Sequence, residues 1–141
     1  MEELLTLRQH LENHDYDAAL AIVAELETMS KEDKLNKIYS FAVVLLIHLI
    51  KQAAEQRSTR SWEFSIYNAT KEIKRINKRR KTGGYYASPE ELQEIIEDAF
   101  DTALKKAALE AFEGQYTEQE LAQKITENEV KSQALQAIIS I

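Results

Sequence analysis

Ten consecutive residues, Phe41 to Ile50 (FAVVLLIHLI), are apolar except for His48. Such a stretch leaves a chain few options. On a helix it turns an apolar surface to every side, so it must lie in a membrane or be enclosed by other helices. A bilayer span takes about 20 predominantly apolar residues, whereas here charge returns at Lys51. The expectation is therefore the buried centre of a helical bundle.

Composition points the same way. Three glycines and one proline in 141 residues are too few turn residues for a strand-rich fold. Ala, Leu, Glu, Lys and Gln, all good helix formers, are abundant. The length is that of one domain, spanning 1–141. A chain of this size buries roughly 68–70% of the surface its unfolded form exposes. With no cysteine there is no disulfide, thiolate nucleophile or cysteine zinc site. The start, MEELLTLRQH, lacks the charge and apolar core of a secretory signal. The expectation is a soluble, cytoplasmic protein with no membrane association.

Taken in order, the chain reads as about six helices. Glu3 to Asn13 presents Leu4, Leu7 and Leu11 on one face. Asp15 or Asp17 caps a second helix running to about Met29. Ser30, three residues before Asp33, resembles a capping box and opens the central helix, about 31–56. Ser58 or Ser61 then caps a helix reaching about Lys81, with Trp62, Ile66, Ala69, Ile73 and Ile76 inward. Thr82 to Tyr86 is a loop. Ser88-Pro89-Glu90-Glu91 starts a helix that runs to about Glu113 and ends at Gly114. Thr117 to Glu120 is a second capping box, and a helical extension over 117–141 closes the chain. Its apolar end, AIISI, needs cover from the bundle or from a second copy.

Several residues qualify as candidate functional groups. Residues 71–81 hold seven Lys or Arg and one Glu, a net +6 in a chain of −6, so the remainder carries −12. Lys74, Arg75, Lys78, Arg79 and Arg80 are the candidate nucleic-acid contacts. Against that reading stand the overall acidity and the acidic start of the next helix, Glu90, Glu91, Glu94, Glu97, Asp98 and Asp101. Basic helix ends and acidic helix starts each complement the macrodipole, and an antiparallel pair of helices would neutralise the run internally. His10 and His14 share the spacing of a HExxH zinc motif, but Leu11 stands where its glutamate belongs. Gly83-Gly84 follows a helix, not a strand, and lacks phosphate-loop spacing. No metal, cofactor or enzymatic activity is expected.

His48 reads as a buried imidazole in a core polar network, with Lys51 one turn on. Trp62 reads as the anchor between two helices. Tyr85 and Tyr86, in the glycine loop, suit either partner contact or a lid over the core.

The segment VLLIHLIKQ, followed by RSTRSWEFSI, resembles domain-of-unknown-function family 29 (DUF29), a bacterial all-helical family. The matching residues are His48, Leu49, Lys51, Arg57, Ser58, Arg60, Ser61, Trp62 and Ile66, and the likeness covers about 5–113. Gln52 stands where the family usually has Trp, and GGYYASPEE replaces a Pro-Ser-Leu loop. The resemblance implies an all-α fold and carries no activity. The functional expectation is a non-enzymatic module that binds an unidentified protein, or a second copy of itself through its C-terminal helix.

Overall fold

A computed structural model of the chain describes residues 2–139. It is an all-α bundle. The helices are α1 (Glu2–Glu12), α2 (Tyr16–Glu55), α3 (Arg60–Asn77), α4 (Pro89–Glu110), α5 (Glu118–Ala122) and α6 (Glu127–Ile139), with a 3-10 turn at Ala111–Gly114. The chain divides into two compact units, Met1–Lys34 and Leu35–Ile141, and the division falls inside α2.

The second and central helices of the sequence reading are one element. No glycine or proline lies between Tyr16 and Glu55, so nothing breaks the hydrogen-bond ladder at Ser30. Ser30 is an exposed interior helix residue rather than a cap. At the true start of α2, Asp15 accepts a hydrogen bond from the Ala18 N–H at 3.3 Å. An unbroken α2 also removes the length argument against a membrane span. By length and composition alone one window of it could cross a bilayer, but half of that window is buried inside the protein, as in a helix enclosed by its neighbours.

In the larger unit, α2 supplies Ile38, Leu45, Leu46 and Ile50, all fully buried. Each contributes roughly 1.5–3 kcal/mol of transfer free energy. The enclosure is not complete, because Val44 is 36% exposed and His48, one turn along, is half-buried. α4 packs against α5, α6 and the 3-10 turn, and α6 also packs on α3. Side-chain bonds fix α2 and α4 as parallel. Tyr39 meets Thr102 at 3.1 Å, Lys51 meets Glu110 at 3.1 Å, and Glu55 meets the Phe112 N–H at 3.3 Å, all ascending together. The apolar C-terminus finds its cover within the chain as far as it is described: α6 buries Val130, Ala134 and Ile138. The last two residues lie outside the described range.

Both Ser-Pro and Thr capping boxes form as expected, at Ser88 and Thr117. α4 stops at Glu110, short of the expected Glu113, because Phe112 and Glu113 take left-handed φ values of 51° and 58°. Gly114, at φ 76°, completes this reversal, and a Cβ there would stand 3.0 Å from the Leu109 carbonyl oxygen.

α3 likewise ends early, at Asn77 rather than Lys81. Asn77 is buried, and its side chain imitates a strand partner. The Nδ2–H donates to the Ala87 carbonyl at 3.3 Å, and the Ala87 N–H donates to Oδ1 at 2.7 Å. The Tyr86 N–H donates to the Asn77 carbonyl at 2.9 Å and the Arg79 N–H to that of Gly84 at 3.0 Å. Lys78 and Tyr85 form an antiparallel bridge. The expected loop is thus a small hairpin whose tip carries Gly83 and Gly84, both at positive φ.

Asn77→Ala strands two buried backbone-facing groups and is expected to cost about 1–3 kcal/mol in urea unfolding. An unchanged unfolding midpoint would contradict the clamp.

Candidate functional site

The distinctive residues of the α2–α3 junction come together, though not around His48. Four residues separate the end of α2 from the start of α3, and Gln56 turns the chain with φ 51°. Thr59, not Ser58 or Ser61, caps α3 by accepting from the Trp62 N–H at 3.0 Å. Ser58 instead accepts from Gln52 Nε2 at 2.7 Å. This capping swings Trp62 inward, where it is 9% exposed.

Two cations lie over the indole: Lys51 Nζ at 4.8 Å from the ring centre and the Arg57 guanidinium at 4.7 Å. Lys51 is buried, and its ammonium donates to Glu110 Oε1 at 3.1 Å. Glu55 completes the arrangement. Its Oε1 accepts from Arg57 Nε at 2.9 Å, and its Oε2 accepts from the Phe112 N–H at 3.3 Å. One carboxylate thereby ties the end of α2 both to the junction and to the left-handed turn after α4. The polar groups of this cluster hold three chain segments together.

His48 stands apart from the cluster. Its Nδ1–H donates to the Val44 carbonyl, one turn back, at 2.8 Å. The expected core network is therefore a single bond within α2, and the half-buried ring does not converge with Lys51. Arg60 and Ser61 are exposed on the first turn of α3. Glu55, Glu110 and the Phe112 amide were not singled out from sequence, since their role depends on the parallel pairing of α2 with α4. Asn77 did carry a signal: it falls four residues after Ile73, on the inner stripe of α3.

His10 and His14 have separate neighbours. His10 Nδ1 is 3.8 Å from an Asp15 carboxylate oxygen, and His14 Nδ1 is 3.1 Å from the Tyr16 hydroxyl. Among the described residues no group of three or more His, Cys, Asp or Glu is arranged to hold a metal.

The basic run divides into parts with different fates. Arg75 pairs with Glu72 at 2.7 Å, and this hydrogen bond holds the Glu72 carboxyl below its ordinary pKa. Lys74 has partners of its own. The Arg79 guanidinium lies over the Tyr86 ring at 4.9 Å. Lys78, Arg80 and Lys81 are exposed on the hairpin, and no ion pair is found for them among the described residues. The expected neutralisation by α4 does not reach these three. Glu97 is paired instead with Lys131 of α6 at 2.6 Å, and Asp101 with Lys105 at 2.9 Å. Tyr85 is 67% exposed and Tyr86 half-buried.

Glu110→Ala leaves the buried Lys51 ammonium without its anion and is expected to cost about 1–3 kcal/mol. Lys51→Met removes the charge and keeps the stem, and is expected to stay within about 1 kcal/mol of the parent. Thermal unfolding of both variants checks the order, and the reverse order would contradict a structural ion pair.

Among known proteins, residues 3–136 match the model of a domain of unknown function, DUF29. No curated protein and no solved structure matches the chain.

Proposed function

The chain belongs to the DUF29 family, and from that premise we propose that it is a non-enzymatic interaction module that docks a partner protein through its N-terminal unit. The observation that carries the reading is α1. It has 11 residues and no buried side chain. Isolated helices shorter than about 12–15 residues are marginal in water, and their stability comes from burying a face. In this helix only Thr6, Leu7 and His10 are even half-buried.

Large apolar side chains accompany it. Leu4, Leu5 and Leu11 of α1 are 45%, 62% and 48% exposed, and Tyr16 and Leu20 of α2 are 58% and 65% exposed. Leu4 and Leu11 are two turns apart on one stripe, and Tyr16 and Leu20 are one turn apart on another. Exposed apolar residues grouped in this way mark interaction sites, whereas scattered single ones do not.

Charge narrows the occupant. Residues 1–34 contain nine Asp or Glu and three Lys or Arg, a net −6, while 35–141 are neutral overall. A second copy of the same acidic unit would be repelled at close range. The complementary partner is an amphipathic helix with an apolar stripe flanked by Lys and Arg, laid against the exposed leucines.

A Leu/Lys amphipathic peptide titrated into the full chain tests this, with a Leu/Glu peptide of identical pattern as control. The Leu/Lys peptide is expected to bind, and the double variant Leu5→Asp, Leu20→Asp to weaken it by at least about tenfold, the loss of roughly 1.4 kcal/mol. Equal binding of both peptides, or undiminished binding by the variant, would overturn the reading.

A further inference from the structure

We infer that the hairpin between α3 and α4 is a binding site for single-stranded nucleic acid, separate from the N-terminal docking surface. Its backbone pairing decides which side chains lie together. Lys78 and Tyr85 are directly opposed across the antiparallel bridge, so their side chains leave the same face. Arg79 and Tyr86 leave the other face and satisfy each other as a cation over a ring, at 4.9 Å. One face of the hairpin is thus self-paired. The other presents a tyrosine at 67% exposure beside a lysine with no counter-ion, with Arg80 and Lys81 following at the turn.

A free aromatic face among free cations is what a single strand recognises: a base stacks on the ring while phosphates meet the cations. The stack needs an unpaired base, which favours a single strand over a duplex. A lipid surface is the other polyanion to consider. The tip, Thr82-Gly83-Gly84, offers no apolar side chain to insert between acyl chains, so the base-bearing polymer fits better.

No ion pair joins Lys78, Arg80 or Lys81 to the acidic start of α4 among the described residues. Two of its carboxylates are paired with Lys131 and Lys105. The Asn77–Ala87 clamp marks the base of the hairpin, and Arg80 and Lys81 lie in the turn beyond the Lys78–Tyr85 bridge.

The test uses the full chain and labelled oligothymidylate, a mixed-sequence RNA of equal length and its duplex, read by fluorescence polarisation at about 50 mM salt. Both single strands are expected to bind with a Kd near or below about 100 μM. The slope of log K against log salt is expected near −2, three cations at about 0.7 each. The variant Lys78→Glu, Arg80→Glu, Lys81→Glu should abolish binding, and Tyr85→Ala should weaken it about fivefold or more. These are exposed side chains, and an unchanged circular dichroism spectrum and melting curve confirm that the variants fold. Absence of binding by the parent chain would overturn the inference. So would full binding by the triple variant, or a duplex bound as tightly as the single strands with Tyr85→Ala at parental affinity. Sedimentation with phosphatidylserine-containing vesicles but no oligonucleotide binding would assign the face to a membrane and equally overturn it.

Discussion

Everything in the larger unit depends on enclosing the apolar segment of α2. Ile38, Leu45, Leu46 and Ile50 exclude water completely, and no single partner helix could cover so wide an arc. The chain answers with α3 and α4, and with α6 packed on both. Because α2 and α4 run parallel, the chain must travel the length of the bundle and back between them. That return is α3, and both of its ends are irregular. At one end Trp62 is held beneath Lys51 and Arg57. At the other Asn77 clamps the hairpin to Ala87.

Polar bonds at both ends serve register. Apolar burial is non-directional, so it would tolerate a helix sliding by a turn. Lys51–Glu110 and Glu55–Phe112 do not tolerate it, since each joins a fixed point of α2 to a fixed point near the end of α4. Phe112 and Glu113 adopt left-handed conformations that cost non-glycine residues about 1–2 kcal/mol each. The Glu55 carboxylate on the Phe112 amide is one of the contacts that offsets this strain.

Much of the fold was legible because local signals and global packing agree. The apolar run, the Ser88 and Thr117 capping boxes and the inner stripe of α3 all formed where their patterns stand. The misreadings share a cause. Ser30 resembles a cap, yet capping chemistry ends a helix only where the backbone has reason to stop, and between Tyr16 and Glu55 it has none. The basic run looked helical to Lys81, but Asn77 prefers the two buried bonds that Ala87 offers over continuing α3. His48 looked buried because its neighbours in sequence are apolar; on the helix it shares a stripe with Val44, the side that other helices leave uncovered. The Lys51 cluster was only half visible, since Lys51 and Trp62 drew notice as unusual residues whereas their anions are ordinary surface-type glutamates until α4 arrives.

The charges are distributed as unevenly as the burial. The larger unit holds every buried apolar side chain described except Ala19 and is neutral overall, whereas the acidic first unit leaves Leu4, Leu5, Leu11 and Leu20 exposed. The central claim is that this first unit folds around a surface it does not itself supply. Amide hydrogen exchange along the full, unliganded chain tests this most directly. Amides of Leu5 to Leu11 are expected to exchange within about tenfold of unstructured rates, while those of Leu45 to Ile50 exchange only through global unfolding. Protection of α1 equal to that of the Leu45–Ile50 segment would contradict the claim, since it would mean that the helix is already stabilised within the chain.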